Sequence, residues 1–168
     1  MLNTIATILL SVALTLPAGN DIAQWGVTVE ELQANIPLDQ AVPDENGYAY
    51  GDHEEVDADV YVYRPDKGGR VELYFFEKKL YKTYTIFGHT QTPESTYEAL
   101  VKEMTDKYGT PAKMFEEVKF GIKIIHNQWN DDKTLIDLRF GAGYVYEVRI
   151  DKTAAERKKQ LIDRRQAI

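Results

Sequence analysis

Two hydrophobic periods take turns along this chain. Tyr97, Leu100, Val101, Met104 and Tyr108 recur at helical spacing and form one stripe, while Lys102, Glu103, Asp106 and Lys107 lie off it. Thr92 before Pro93 supplies an N-cap and a first-turn proline, and Ser95 with Glu98 offers a capping box one turn later. Gly109 can end the helix in a left-handed conformation, and Pro111 prevents its resumption. The spacing therefore predicts an amphipathic helix between Thr92 and Tyr108. A shorter helix is predicted from Thr28, where Thr28 and Glu31 form a capping box and Val27 and Leu32 a hydrophobic staple. Val29, Leu32 and Ile36 share its face until Pro37 stops it.

After each helix the period drops to two, the signature of strands. Val60–Tyr63, Val71–Phe76 and Leu80–Phe87 are separated by the turns Pro65–Gly69 and Glu77-Lys78-Lys79. Lys113–Phe120, Ile122–Trp129, Thr134–Phe140 and Tyr144–Ile150 follow, with turns at Asn130–Lys133 and Gly141-Ala142-Gly143. Between Leu38 and Asp59 the composition is acidic and turn-forming, leaving at most a short strand at Tyr48–Tyr50. The fold class read from this order is α+β, with two helix-plus-antiparallel-meander units at about 24–87 and 92–150 forming a two-layer domain over residues 19–151. The similar length and order of the units suggest a structural duplication. A basic helix is expected over 152–168, opened by a Thr153–Glu156 capping box, with Arg157, Lys158, Lys159, Arg164 and Arg165 around a thin apolar stripe of Ala154, Leu161, Ile162 and Ile168.

Residues 5–16 are uncharged and mostly apolar, and Pro17-Ala18-Gly19 follows them, a signal-peptide core with a small-residue exit. The run falls short of the roughly 20 apolar residues that span a bilayer. A leader over 1–18, a mature chain starting near Gly19, an exported protein in the periplasm or secreted, and no transmembrane span after cleavage are expected.

Composition narrows the chemistry. With 168 residues, 43% of them hydrophobic, the chain can bury a real core. It has no cysteine, which removes disulfides, thiolate metal sites and cysteine nucleophiles. The net charge of −7 is uneven, because the first 63 residues hold 11 carboxylates and no Lys or Arg. Nucleic acid is a poor partner for such a surface. Outside the leader Ser95 is the only serine, at a helix start, so a serine nucleophile elbow is absent. His53-Glu54-Glu55-Val56-Asp57 places Asp57 where a zincin needs its second histidine, and Gly141-Ala142-Gly143 lacks the third glycine of a dinucleotide loop. No metal or cofactor is expected.

Three groups remain. Asp52, Glu54, Glu55, Asp57 and Asp59 offer the oxygen ligands calcium prefers, without EF-hand spacing. His126, in register with Ile122 and Ile124, is a hydrogen-bonded structural residue or else a ligand or catalytic base. The third is an aromatic excess. Val60, Val62, Val71, Leu73 and Phe75 suffice for one face of the first meander, so Tyr61, Tyr63, Tyr74, Phe76 and Tyr81 are read as the other. That face is either covered by the N-terminal segment and the C-terminal helix or free to bind a partner. The second meander divides conventionally, with Ile124, Ile136, Leu138, Phe140 and Val148 inside and Lys123, Asp137, Arg139, Glu147 and Arg149 outside.

Trp25-Gly26-Val27-Thr28-Val29-Glu30-Glu31-Leu32, Lys107-Tyr108-Gly109-Thr110-Pro111 and Trp129–Thr134 together resemble small exported bacterial envelope proteins of uncharacterised function. In these a W-G-x-T-x-E-E-L helix start and a K-Y-G-x-P helix end punctuate antiparallel strands. The likeness spans most of residues 25–150. At the level of fold alone, helix-plus-meander repeats are similar to the β-lactamase inhibitory proteins and the outer-membrane assembly lipoproteins, both binders. The resemblance implies a non-catalytic envelope protein that binds another protein through the aromatic sheet face. The alternatives are a small hydrolase or lyase using carboxylates and His126, or a calcium-dependent binding module.

Overall fold

The computed structural model describes residues 15–41, 57–66, 68–88 and 92–167. The element order is α1 (Val29–Gln33), β1 (Asp39–Gln40), β2 (Asp59–Tyr63), β3 (Gly69–Phe76), β4 (Lys79–Phe87), α2 (Pro93–Tyr108), β5 (Lys113–Lys119), β6 (Ile122–Asn130), β7 (Thr134–Gly141), β8 (Tyr144–Asp151) and α3 (Lys152–Gln166). The strands form one sheet in the order β1-β2-β3-β4-β8-β7-β6-β5, every neighbouring pair antiparallel. The chain is thus α+β. The expected strand at Tyr48–Tyr50, most of the leader, and Asp52, His53, Glu54 and Glu55 lie outside the described residues.

The helices form where their local chemistry places them. Both arms of the α1 capping box are made: Glu31 N–H donates to Thr28 Oγ1 (3.3 Å) and Thr28 N–H to Glu31 Oε2 (2.8 Å). Of the two possible starts for α2 the chain uses Thr92, whose hydroxyl accepts from Ser95 N–H with Pro93 in the first turn. Gly109 ends α2 with φ 79° and ψ −174°, positive in φ as expected but extended in ψ, a region open almost only to glycine. The Thr153–Glu156 box expected for α3 is replaced. Because β8 runs directly into the helix, Asp151 is the residue at the junction, and its carboxylate accepts from Thr153 and Ala154 N–H (2.9 and 3.1 Å).

Register assigns the faces. Leu73 lies opposite Thr83, Thr83 opposite Arg149, and Arg149 opposite Ile136, so these share what we call the front face. Segment 22–38 and α1 pack there on Val71, Leu73, Phe75 and Leu80. The whole expected stripe of α2 packs there too, on Trp129, Ile136, Leu138 and Val145. The back face carries Val60, Tyr74 and Tyr81 under Ala154 and Ala155 of α3. This corrects the division expected for the second meander. Glu147, Arg149 and Lys123 belong to the front face with Ile136, Leu138 and Phe140, whereas Asp137 and Arg139 share the back face with Ile124 and Val148.

Between the two helices, the centre of the front face is polar and is crossed by the segment running from Leu16 to Trp25. Leu16 N–H donates to Asp131 Oδ2 (2.8 Å), Thr134 Oγ1 to the Pro17 carbonyl (3.3 Å), and Arg149 Nη1 to the Gly19 carbonyl (3.1 Å). Burial alone would raise the Asp131 pKa, but the N–H groups of Thr134, Lys133 and Leu16 outweigh it and hold the carboxyl below its ordinary value.

Candidate functional site

The five aromatic residues expected on one face of the first meander do not share it. Tyr61 lies opposite Leu73 and Tyr63 opposite Val71, so both join the front cluster, half-buried. Tyr74 lies opposite Val60 on the back face. The pairing slips between Tyr74 and Phe75, which face Lys82 and Leu80, leaving Tyr81 as the extra residue of a bulge. Tyr81 and Phe76 consequently pack with Tyr74 beneath α3, and Lys158 Nζ donates to the Tyr81 hydroxyl (2.9 Å). Alternation within a strand gives each residue's side but not the phase between strands, and a slip of one residue exchanges the faces. Tyr74 and Tyr81 are 1% and 2% exposed, so no continuous tyrosine surface exists.

Tyr74 serves instead as a partner for a buried acid. Its hydroxyl donates to Glu72 Oε2 (2.7 Å), and Arg70 Nη2 lies 2.8 Å from Oε1. Burial pushes the Glu72 pKa up, against the opposing effects of Tyr74, Arg70 and Lys82. A carboxyl with a raised folded-state pKa holds its proton more tightly in the fold than in the unfolded chain, so its ionisation destabilises the fold. That penalty is complete above the folded value, shrinks as pH falls through it, and is gone below the ordinary glutamate value. Glu72→Gln removes this dependence. Urea denaturation of both proteins from neutral pH down into the ordinary glutamate range should show wild type gaining on the variant as pH falls; parallel profiles would refute the assignment.

His126 sits on the back face, buried between carboxylates. Its Nδ1 is 3.1 Å from Asp137 Oδ2, which also accepts from Arg139 Nε (2.7 Å). Nε2 is 3.3 Å from Glu117 Oε1 without hydrogen-bond alignment, and the Phe115 ring stacks on the imidazole at 4.3 Å. The histidine is thus within reach of a carboxylate, as a general base requires, but it is roofed by Phe115. The cavity of about 170 Å³ described by the structure lies on the front face, between α2 and residues 20–22, floored in part by Glu147 and Arg149. Arg149 spends its donors there on both Glu147 oxygens (2.5 and 3.0 Å) and on Gly19. Burial would lower the Arg149 pKa; the Glu147 charge outweighs it and holds the guanidinium above its ordinary value.

Of the calcium candidates, Asp57 pairs with Arg165 Nη1 at 2.7 Å, and Asp59 begins β2. Among the described residues no three His, Asp or Glu side chains gather as metal ligands, and no helix is long and apolar enough to cross a membrane.

The exposed apolar surface is elsewhere. Among the described residues the large hydrophobic side chains left open to solvent are Phe120 (90%), Val118 (73%), Met114 (67%), Tyr144 and Ile122, four of them on the β5–β6 hairpin and Tyr144 at the start of β8. Met114 and Val118 point from the front face of β5, an edge strand with six of seven residues exposed. Ile122 shares the back face with Ile124, two strands from Tyr144 across Gly141. Phe120 and Gly121 form the two-residue turn between β5 and β6 with φ 54° and 77°. Such turns favour Asn-Gly, and a bulky residue with positive φ is strained. Sequence reasoning missed this site, although β5 already showed its signal: Met114 and Val118 against Phe115 make both faces of one strand apolar.

Comparison with protein-family models, with curated proteins and with solved structures returns no match for the chain.

Proposed function

We propose that this chain is a non-catalytic, exported envelope protein that binds another protein through the β5–β6 end of its sheet. The observation that carries the reading is the exposure of Met114, Val118, Phe120 and Ile122 on one hairpin, whose turn is strained in a way that folding alone does not favour. Helix-then-meander order on either side of the β4–β8 seam supports two related units. The apolar run before Pro17 supports a leader over 1–18 and a periplasmic or secreted location.

Phe120→Asn separates binding from folding. Asparagine tolerates positive φ, so the variant should melt at or slightly above the wild-type temperature while losing partner capture. Affinity capture from the native host with wild-type and variant baits reads this out. Identical sets of retained proteins would refute the assignment of the site. Export is tested by mass spectrometry of the protein from a bacterial host, where the chain should begin near Gly19 outside the cytoplasm; intact Met1 on cytoplasmic protein would refute it.

A further inference from the structure

We propose that β5 pairs antiparallel with β5 of a second copy of this chain about a two-fold axis at Phe115, joining the two sheets into one. The proposal rests on reading the β5–β6 end as a contact surface and names its occupant. Beyond β5 the sheet has no further strand among the described residues, so its outer backbone groups form an open edge of the kind that accepts another strand.

The charges on β5 select the register. Antiparallel pairing about a two-fold axis normal to the sheet sets each residue opposite one of the same face. An axis at Glu116 would oppose Glu116 to itself and Lys113 to Lys119 of the second copy, and an axis at Glu117 would oppose Glu117 to itself. Like charges directly opposite are unfavourable. Two registers oppose unlike charges. An axis at Val118 sets Glu117 against Lys119 but pairs only the last residues of the strand. An axis at Phe115 pairs Lys113 through Glu117 completely, setting Lys113 against Glu117 of the second copy twice and Phe115 against its own counterpart. It also places Val118 opposite Ala112 of the second copy, covering one of the most exposed side chains of the front face. Lys113 and Glu117 have no mutual bond to give up. Lys113 Nζ rests over the Phe115 ring at 4.3 Å, and Glu117 is 44% exposed beside His126. Two other charges of this hairpin satisfy each other, Lys123 Nζ with Glu116 Oε1 at 2.7 Å.

Sedimentation of the full chain over a micromolar concentration series tests the pairing, with melting temperatures confirming that each variant is folded. Wild type should be dimeric. Glu117→Lys and Lys113→Glu should each weaken the dimer by roughly tenfold or more, since each turns two attractive cross-strand pairs into repulsive ones. The double variant Lys113→Glu, Glu117→Lys should recover wild-type affinity, because the swap restores both pairs. A monomeric wild type overturns the dimer while leaving the contact surface to the Phe120→Asn capture experiment. A dimer indifferent to both single reversals, or not recovered by the double swap, overturns the register.

Discussion

Replacing Trp129 with alanine is expected to lower stability by about 3 to 5 kcal/mol, the range for emptying a buried aromatic site. The indole is 2% exposed within the α2 cluster, and its Nε1 donates to the Gly109 carbonyl at 2.7 Å. It therefore fills the core beneath α2 and also binds the chain where that helix ends. Trp129→Phe keeps most of the volume and removes only the donor, which should lower stability by about 1 kcal/mol. In a domain of this size each kcal/mol moves the melting temperature by roughly 2 to 4 °C, so the two variants differ by several degrees in a thermal scan. Equal losses would mean that the hydrogen bond, and not the packing, ties β6 to the helix end.

Tyr63→Ser and Tyr74→Ser should differ as sharply. Tyr74 is enclosed under α3, so serine leaves a cavity and withdraws a donor from the buried Glu72, lowering stability by roughly 3 kcal/mol or more. Tyr63 packs half-buried at the rim of the front cluster, and its loss should be a minor fraction of that. Chemical denaturation of the two single variants decides the matter. Matching small losses would restore a common exposed tyrosine face and contradict the register of β2 on β3.

What could be read from the sequence was what short-range chemistry determines. The bounds of α2 follow from Thr92, Pro93 and Gly109, within a turn of the stripe they delimit, and each strand after β1 shows its own alternation. What escaped was the relation between strands. Tyr61 falls opposite Leu73 because of where β3 begins after β2, and Tyr81 joins Tyr74 because a bulge displaces one side of a hairpin; neither is encoded within a single strand. For the same reason Asp137 looked like an outward carboxylate until β6 brought His126 beside it. The site at Phe120 was hidden differently. A phenylalanine at a strand end reads as core, but here it stands beyond the strand, in the turn between β5 and β6.

The segment crossing the centre of the front face has a consequence for the order in which the molecule can assemble. Its hydrogen bond at Gly19 reaches 130 residues forward to Arg149. The seam it covers joins β4 to β8, the last strand to be synthesised. Whichever end emerges first where the chain folds, the first half can form its own hairpins early, yet the β4 edge from Lys82 to Ile86 has nothing to pair with until β8 is in place. Closure across such separations is slow, and an unpaired central strand invites association with other chains. The earliest stretch of this fold to be translated is thus among the last to find its place, and the rate-limiting event in folding should be the meeting of β4 and β8.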